Sequence, residues 1–289
     1  MKTWLGLILA ATLGVIAPAA SAQNNWNKPT EPFHVIDNIY YVGTEGLGAY
    51  LFTGSKGHVL LDGATPEGAA IVSANIEKLG FKLSDVKILL NSHAHFDHSG
   101  GLAQLKAATG AKLYAMQGDV SALEGGFYLG SETNKTMSAP PVKVDHVLGD
   151  GEHVKLEDID LIAHLTPGHS RGCTSWGTTA SASGKDYEVL VFCSATVAAN
   201  RITPPLQYEG IVQDYRATFA KAKTMRVDIP LAPHPEFFGL LQKAEKAKTD
   251  KSHNVFVDPA AFAPYIAQLE AVFETTLKQR TDAAKAAAQ

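Results

Sequence analysis

Beyond its opening segment, the chain sets out apolar positions in short runs broken by glycine, proline and asparagine, and their spacing switches between the periods of strands and helices. His34–Val42, Tyr50–Thr53 and His58–Leu61 are rich in β-branched and aromatic residues and bounded by turn formers, which predicts three strands in quick succession. Pro66–Leu79 then carries helical spacing, with Thr65 placed to cap its start and Gly80 just past its end. Val86–Leu90 is a short apolar run of the buried-strand type, and Gly101–Ala108 returns to helical spacing. The polar segment His93–His98 between them therefore sits at the C-terminal end of a strand, where open α/β sheets place their ligands.

The second half repeats the pattern. Val154–Leu156 and Leu161–Leu165 read as strands, and Cys173–Thr179 and Glu188–Phe192 read as a hairpin about the turn at Ser183–Asp186. A helix is expected near Gly210–Thr224, a short strand at Leu231–His234, and an Ala-, Lys- and Gln-rich helix from Asp258 onward. Gly125–Pro141, holding Phe127 and Tyr128, is a long Gly-, Ser- and Pro-rich connection, and loops of that length are often functional. Together these elements predict an α/β fold in which two mixed sheets pack face to face, with helices on both outer faces.

Composition narrows the class. The 289 residues are 45% hydrophobic and 19% charged, an ordinary globular balance. The formal net charge of -4 argues against nucleic acid as a partner. Met1-Lys2, the apolar run Trp4–Ala20 and the small-residue pattern Ala20-Ser21-Ala22 read as a cleavable export signal. Residues 23–289 would then form a single domain built of two αβ halves, periplasmic or secreted, with no membrane span after cleavage and a monomeric state expected. Cys173 and Cys193 are the only cysteines, and the hairpin brings them roughly opposite each other. A cross-strand disulfide is compatible with that placement, and two buried free thiols are the plainer expectation.

The chemistry concentrates in His93-Ala94-His95-Phe96-Asp97-His98. Histidines two apart in an extended segment project to the same side, so that one metal can take both, while Asp97 and His98 on the following turn can face a second. Imidazole and carboxylate donors suit zinc, and ligand type alone leaves manganese and iron(II) open as alternatives. His169, in Thr166-Pro167-Gly168-His169, and His234, in Pro233-His234-Pro235, each follow a predicted strand end as well. Three loops could thus bring six ligands to one edge of the core. His34, His58, His146, His153, His164 and His253 stand in no motif and read as surface or satisfied core residues.

H-x-H-x-D-H, then T-P-G-H, then a late isolated histidine resembles the signature order of the metallo-β-lactamase superfamily. The likeness extends from Asp37-Asn38-Ile39-Tyr40 through Leu61-Asp62-Gly63 to Leu231-Ala232-Pro233-His234. Within that superfamily the chain looks most like the third subclass of zinc β-lactamases, in which serine replaces a cysteine ligand; Ser194 stands at that place. The resemblance implies an αββα sandwich and two zinc ions, one held by His93, His95 and His169 and the other by Asp97, His98 and His234. It implies hydrolysis of the amide of penicillins, cephalosporins and carbapenems by a metal-bridging hydroxide. Asp97 would orient the proton for the departing nitrogen, and Ser194 would hydrogen-bond a water on the second zinc rather than bind the metal itself. Thr196 would meet the substrate carboxylate, Phe127 and Tyr128 would belong to the mobile loop that borders the substrate groove, and Asp62 would steady the ligand loop.

Two departures stand beside this likeness. A shift of one residue would make Cys193 a thiolate ligand in place of Ser194, and no lysine follows Ser194 closely, Arg201 being the nearest cation. The rival readings are a lactonase or thioesterase of the same fold and a non-catalytic zinc-binding protein. Thioesterases resembling glyoxalase II bridge their metals with an aspartate on the strand bearing Ser194, and this chain has none between Asp186 and Asp214.

Overall fold

The computed structural model of the chain describes residues 25–251 and 254–288, so the expected export signal at 1–22 lies outside the described residues. The first sheet has seven strands in sequence order: β1 (Phe33–Ile36), β2 (Ile39–Tyr41), β3 (Tyr50–Gly54), β4 (Gly57–Leu61), β5 (Val86–Leu90), β6 (Lys112–Met116) and β7 (His146–Leu148). The pairs from β1 to β4 are antiparallel and those from β4 to β7 parallel. The second sheet runs β12-β11-β10-β9-β8, with β8 (Glu152–Leu156), β9 (Ile159–Leu165), β10 (Thr174–Ala182) and β11 (Lys185–Val191) antiparallel. The edge strand β12 (Ile229–Leu231) lies parallel to β11.

Parallel pairs need crossovers, and helices supply them. α1 (Ala69–Lys78) joins β4 to β5, α2 (Phe96–Ser99) and α3 (Leu102–Thr109) join β5 to β6, α4 (Gln117–Gly125) precedes β7, and α5 (Ile211–Ala222) joins β11 to β12. α6 (Leu240–Thr249) and α7 (Phe262–Ala287) follow β12. Among the described residues no helix is long and apolar enough to cross a membrane.

The near-continuous hydrophobicity of the central strands has a direct structural cause. Along β3, β4 and β11, alternate residues point to opposite sheet faces, and both faces are covered. Tyr50, Phe52, Val59, Leu61, Val189 and Val191 enter the apolar layer between the sheets, together with Trp176 and Leu161. Leu51, Leu60 and Leu89 face outward into a second layer under α1 and α3, with Val72, Ile76 and Leu105. Leu190 and Phe192 face a third layer with Tyr215 and Phe219 of α5 and Ile266 and Phe273 of α7. Three apolar layers between four strata define the αββα sandwich expected above, and each fully buried large side chain in them contributes about 1.5–3 kcal/mol.

The cysteines depart from the plainer expectation. Cys173 and Cys193 form a disulfide, with Cα atoms 5.9 Å apart, because the β10–β11 register places the residue before β10 beside the residues that follow β11. Neither sulfur is therefore a free thiolate, and the alternative in which Cys193 ligates a metal does not hold in this structure.

Candidate metal centre

Each segment of the site begins where a strand ends on one rim of the sandwich. His93–His98 follow β5, His169 follows β9, Ser194 and Thr196 follow β11, and His234 follows β12. The two sheets are tied together at this rim. Trp176 Nε1 donates to Asn91 O at 3.2 Å, Thr174 N to Ser92 O at 2.7 Å, and Tyr50 OH to Ala232 O at 2.7 Å.

Two carboxylates buried behind the loops fix their backbone. Asp62, left-handed at φ 64°, accepts from Ser92 N at 2.7 Å and so secures the entrance to the histidine hexapeptide. Asp119 of α4 accepts from Ala94 N, Ser170 Oγ and Gly172 N, all at 2.8 Å. One side chain thereby joins the His93–His98 loop to the His169 loop. Burial pushes both carboxyls up to about 6, against the pull of these donors. Sequence reasoning named Asp62 but missed Asp119, which stands alone in an ordinary helix; its only local sign is its place shortly after a strand.

The candidate ligating groups converge in two sets, apart from one that pairs His93 with the disulfide sulfurs. Donor atoms of His93, His95 and His169 lie within 4.8 Å of one another, and so do those of Asp97, His98 and His234. In the second set, His98 Nε2 is 3.1 Å from His234 Nε2 and 3.2 Å from Asp97 Oδ2, while His234 Nε2 is 3.6 Å from that same oxygen. Backbone carbonyls fix two tautomers. His169 Nδ1 donates to Thr196 O at 2.7 Å and His234 Nδ1 to Gly46 O at 3.3 Å, which leaves each Nε2 as a lone pair. Ser92 Oγ lies 3.0 Å from His93 Nδ1, and His93 Nε2 is buried without any hydrogen-bond partner.

Burial drives these imidazoles toward the neutral form that a metal requires. It lowers His93 and His95 well below the usual range, helped by neighbouring histidines, and brings His169 to about 4 and His234 to about 3. Asp97 and His98 favour each other's charged form. Burial alone would raise Asp97, but His98, with His234 and His95, outweighs it and holds the carboxyl far below its usual range; burial alone would lower His98, but Asp97 lifts it. The orphaned Nε2 of His93 and the Nε2 lone pair of His169 in the first set, and the Nε2 lone pair of His234 beside the Asp97 carboxylate in the second, fit metal ions. The two sets could hold metal ions.

The remaining candidates take distinct places. Ser194 is buried; its Oγ accepts from Thr196 N at 3.2 Å and lies 3.2 Å from Thr196 Oγ1, which is itself 3.2 Å from His169 Nδ1. Tyr128 stacks on the His95 ring at 4.3 Å with 14° between planes. Phe127 packs against the outer apolar layer that holds Leu123 and Val142. Arg201 is committed to the long loop, donating to Gly130 O at 2.6 Å and to Ser131 Oγ at 3.2 Å.

The metallo-beta-lactamase superfamily model matches residues 49–179. Among solved structures, the chain is similar to BJP-1, a subclass B3 metallo-beta-lactamase of Bradyrhizobium japonicum, with 48% identity and a TM-score of 0.87, covering 91% of this chain and 99% of that one. It is similar to native FEZ-1 metallo-beta-lactamase from Legionella gormanii at 39% identity and a TM-score of 0.84, covering 88% of this chain and 98% of that one. Among curated proteins, a hydroxyacylglutathione hydrolase of Rhodospirillum rubrum is 30% identical over 107 residues, 37% of this chain. That match spans about a third of the relative's own length, 34%.

Proposed function

The chain belongs to the metallo-beta-lactamase superfamily, and on that footing we propose that it hydrolyses the amide bond of β-lactam antibiotics with two zinc ions, one on His93, His95 and His169 and one on Asp97, His98 and His234. The carrying observation is the pair of adjoining donor sets, all imidazole and carboxylate, with a buried His93 nitrogen left without a partner. Likeness to subclass B3 β-lactamases over nearly the full length supports the same reading. Bound zinc supplies Lewis acidity and lowers the pKa of water to about 7.

The protein's own groups account for the rest. The carbonyls of Thr196 and Gly46 hold His169 and His234 in the tautomer that presents Nε2. The paired hydroxyls of Ser194 and Thr196 lie beside His169, where they can orient a water and meet the substrate carboxylate. Asp97 Oδ2 orients the proton that returns to the lactam nitrogen as the ring opens. The Tyr128 ring shields His95 from solvent on one face. Export to the periplasm or medium accords with this substrate class and with the disulfide, which persists in oxidising compartments.

The partial match to hydroxyacylglutathione hydrolases favours a second reading, thioester hydrolysis. Hydrolysis of a carbapenem, a cephalosporin and an S-acyl thioester by the purified protein, with and without a zinc chelator, separates the two. Chelator-sensitive ring opening is the expected result. Turnover of the thioester alone would replace the lactamase reading, and zinc binding without any turnover would leave a zinc-binding protein.

A further inference from the structure

Asn200 lies between the long loop, the His169 turn and the C-terminal helix, and only 1% of it is exposed. Its Nδ2 donates to His169 O at 2.8 Å and to Tyr215 OH at 3.0 Å, while its Oδ1 accepts from Tyr128 OH at 2.8 Å. The orientation of this amide is fixed by its partners, because a backbone carbonyl can only accept. Tyr215 OH passes the chain on, donating to Thr196 O at 2.8 Å, the same carbonyl that receives His169 Nδ1. The backbone of Asn200 is anchored too: its N donates to Val197 O at 3.0 Å and its O accepts from Arg280 Nη1 of α7 at 2.7 Å.

Two of the three imidazoles in the first set depend on this one side chain by different routes. Through its NH₂ group it holds the His169 main chain, and through Tyr215 the carbonyl that sets the His169 tautomer. Through its oxygen it holds Tyr128, whose ring lies nearly parallel on His95. We infer that Asn200 is a positioning residue with two separable duties: its amide donor holds His169 for metal binding, and its amide oxygen locks Tyr128 as a fixed plate over His95 at the groove wall. The inference rests on reading His93, His95 and His169 as a metal site. It adds that the base of the 126–141 loop is pinned to the metal centre, so that this wall of the groove is preset rather than mobile.

Asn200→Asp and Tyr128→Phe separate the duties. The aspartate keeps an acceptor for Tyr128 OH but sets an oxygen against the His169 carbonyl, whereas the phenylalanine keeps the ring and removes only its tether. In the full-length protein, zinc affinity by competition with a chelating dye, and the visible spectrum after cobalt substitution, should both change in Asn200→Asp. Loss of such an outer partner weakens metal binding by about 10–100-fold. Tyr128→Phe should bind zinc close to the native level but raise KM for a carbapenem more than it lowers kcat.

A merely structural role would lower the melting temperature of both variants and leave the cobalt spectrum and the KM-to-kcat split untouched. A folded Asn200→Asp protein with native zinc affinity and spectrum would overturn the first duty, and an unchanged KM in Tyr128→Phe would overturn the second. Should Asn200→Asp fail to fold, Tyr215→Phe carries the test of the route through Tyr215, since it frees the second amide hydrogen and the Thr196 carbonyl while leaving the bond to His169 O; a smaller loss of affinity, up to about tenfold, is expected, and none would overturn that route to His169. The metal readouts need no lactam turnover, so they remain decisive if the native protein hydrolyses no β-lactam.

Discussion

Asp119 carries more of the site than any residue that does not reach toward a metal. Its carboxylate takes three hydrogen bonds at 2.8 Å in a place where only 1% of the residue is exposed, and no other described side chain offers those donors an acceptor within the same loops. Asp119→Ala would strand Ala94 N, Gly172 N and the Ser170 hydroxyl, at about 1–3 kcal/mol for each buried group left unpaired. We expect the variant to lose several kcal/mol in urea denaturation and to release metal to a chelator faster than the native protein. Native stability would mean that water replaces the carboxylate at little cost. Asp97→Ala acts on the metal set itself. Because outer partners already cost about 10–100-fold, loss of a ligand should cost about 100-fold or more in turnover and about one equivalent of bound zinc by elemental analysis; native turnover would remove Asp97 from the mechanism. The contrast between these two aspartates explains what was legible at this scale. Asp97 announces itself because its partners His93, His95 and His98 are its sequence neighbours. Asp119 and Asn200 are single residues of common types whose side-chain partners are 25 to 53 and 15 to 72 residues away, and no local pattern encodes that.

Elements followed the same division between local and distant causes. β4 and β5 emerge within a residue of the predicted runs because their apolar pattern serves two buried faces at once. α1 starts later than its spacing predicts, at Ala69, because the first turn is occupied by a Thr65 cap: its Oγ1 accepts from Gly68 N at 3.0 Å before regular helix begins. β12 was expected at Leu231–His234 and lies at Ile229–Leu231, with Pro230 inside it. Proline is tolerated there because β12 is an edge strand paired only with β11. No clear periodicity marks β6, β7, α4 or α6; β7 has three residues, and α6 has only Leu240 fully buried, so the apolar stripe that would betray a helix is thin. One packing detail at this scale is testable. A methyl group at Gly101, where α3 begins, would press into the Gly63 carbonyl beside Asp62. Gly101→Ala should therefore cost about 1–3 kcal/mol and disturb the ligand loop with it, read as lowered thermal stability together with weaker zinc binding. A loss of stability alone would show that the strain is absorbed within α3.

At the scale of the whole molecule, each metal set draws on both sheets. His93 and His95 follow β5 of the first sheet and His169 follows β9 of the second; Asp97 and His98 belong to the first and His234 follows β12 of the second. An ion in either set is therefore a cross-link between the two layers at one rim, whereas the disulfide joins Cys173 to Cys193 within the second sheet alone. These two kinds of cross-link should separate experimentally. Zinc at about 100 times its dissociation constant stabilises by about 2.7 kcal/mol for each site filled, which for a chain of this size raises Tm by about 5–10 °C per site. Hydrogen exchange should then slow at 92–98, 167–170 and 232–234, on both sheets together. Replacing both cysteines by alanine should cost about 3 kcal/mol, as loss of such a loop closure does, yet leave two equivalents of zinc bound and the zinc-induced rise in Tm intact. If the double variant instead loses an equivalent of zinc, the disulfide is part of the metal scaffold, acting through Cys193 Sγ, 3.7 Å from His93 Nδ1. If zinc slows exchange on only one sheet, the ions do not bridge the layers, and the convergence of the three loops must be held by Asp62, Asp119 and Asn200 together with the rim hydrogen bonds of Trp176, Thr174 and Tyr50.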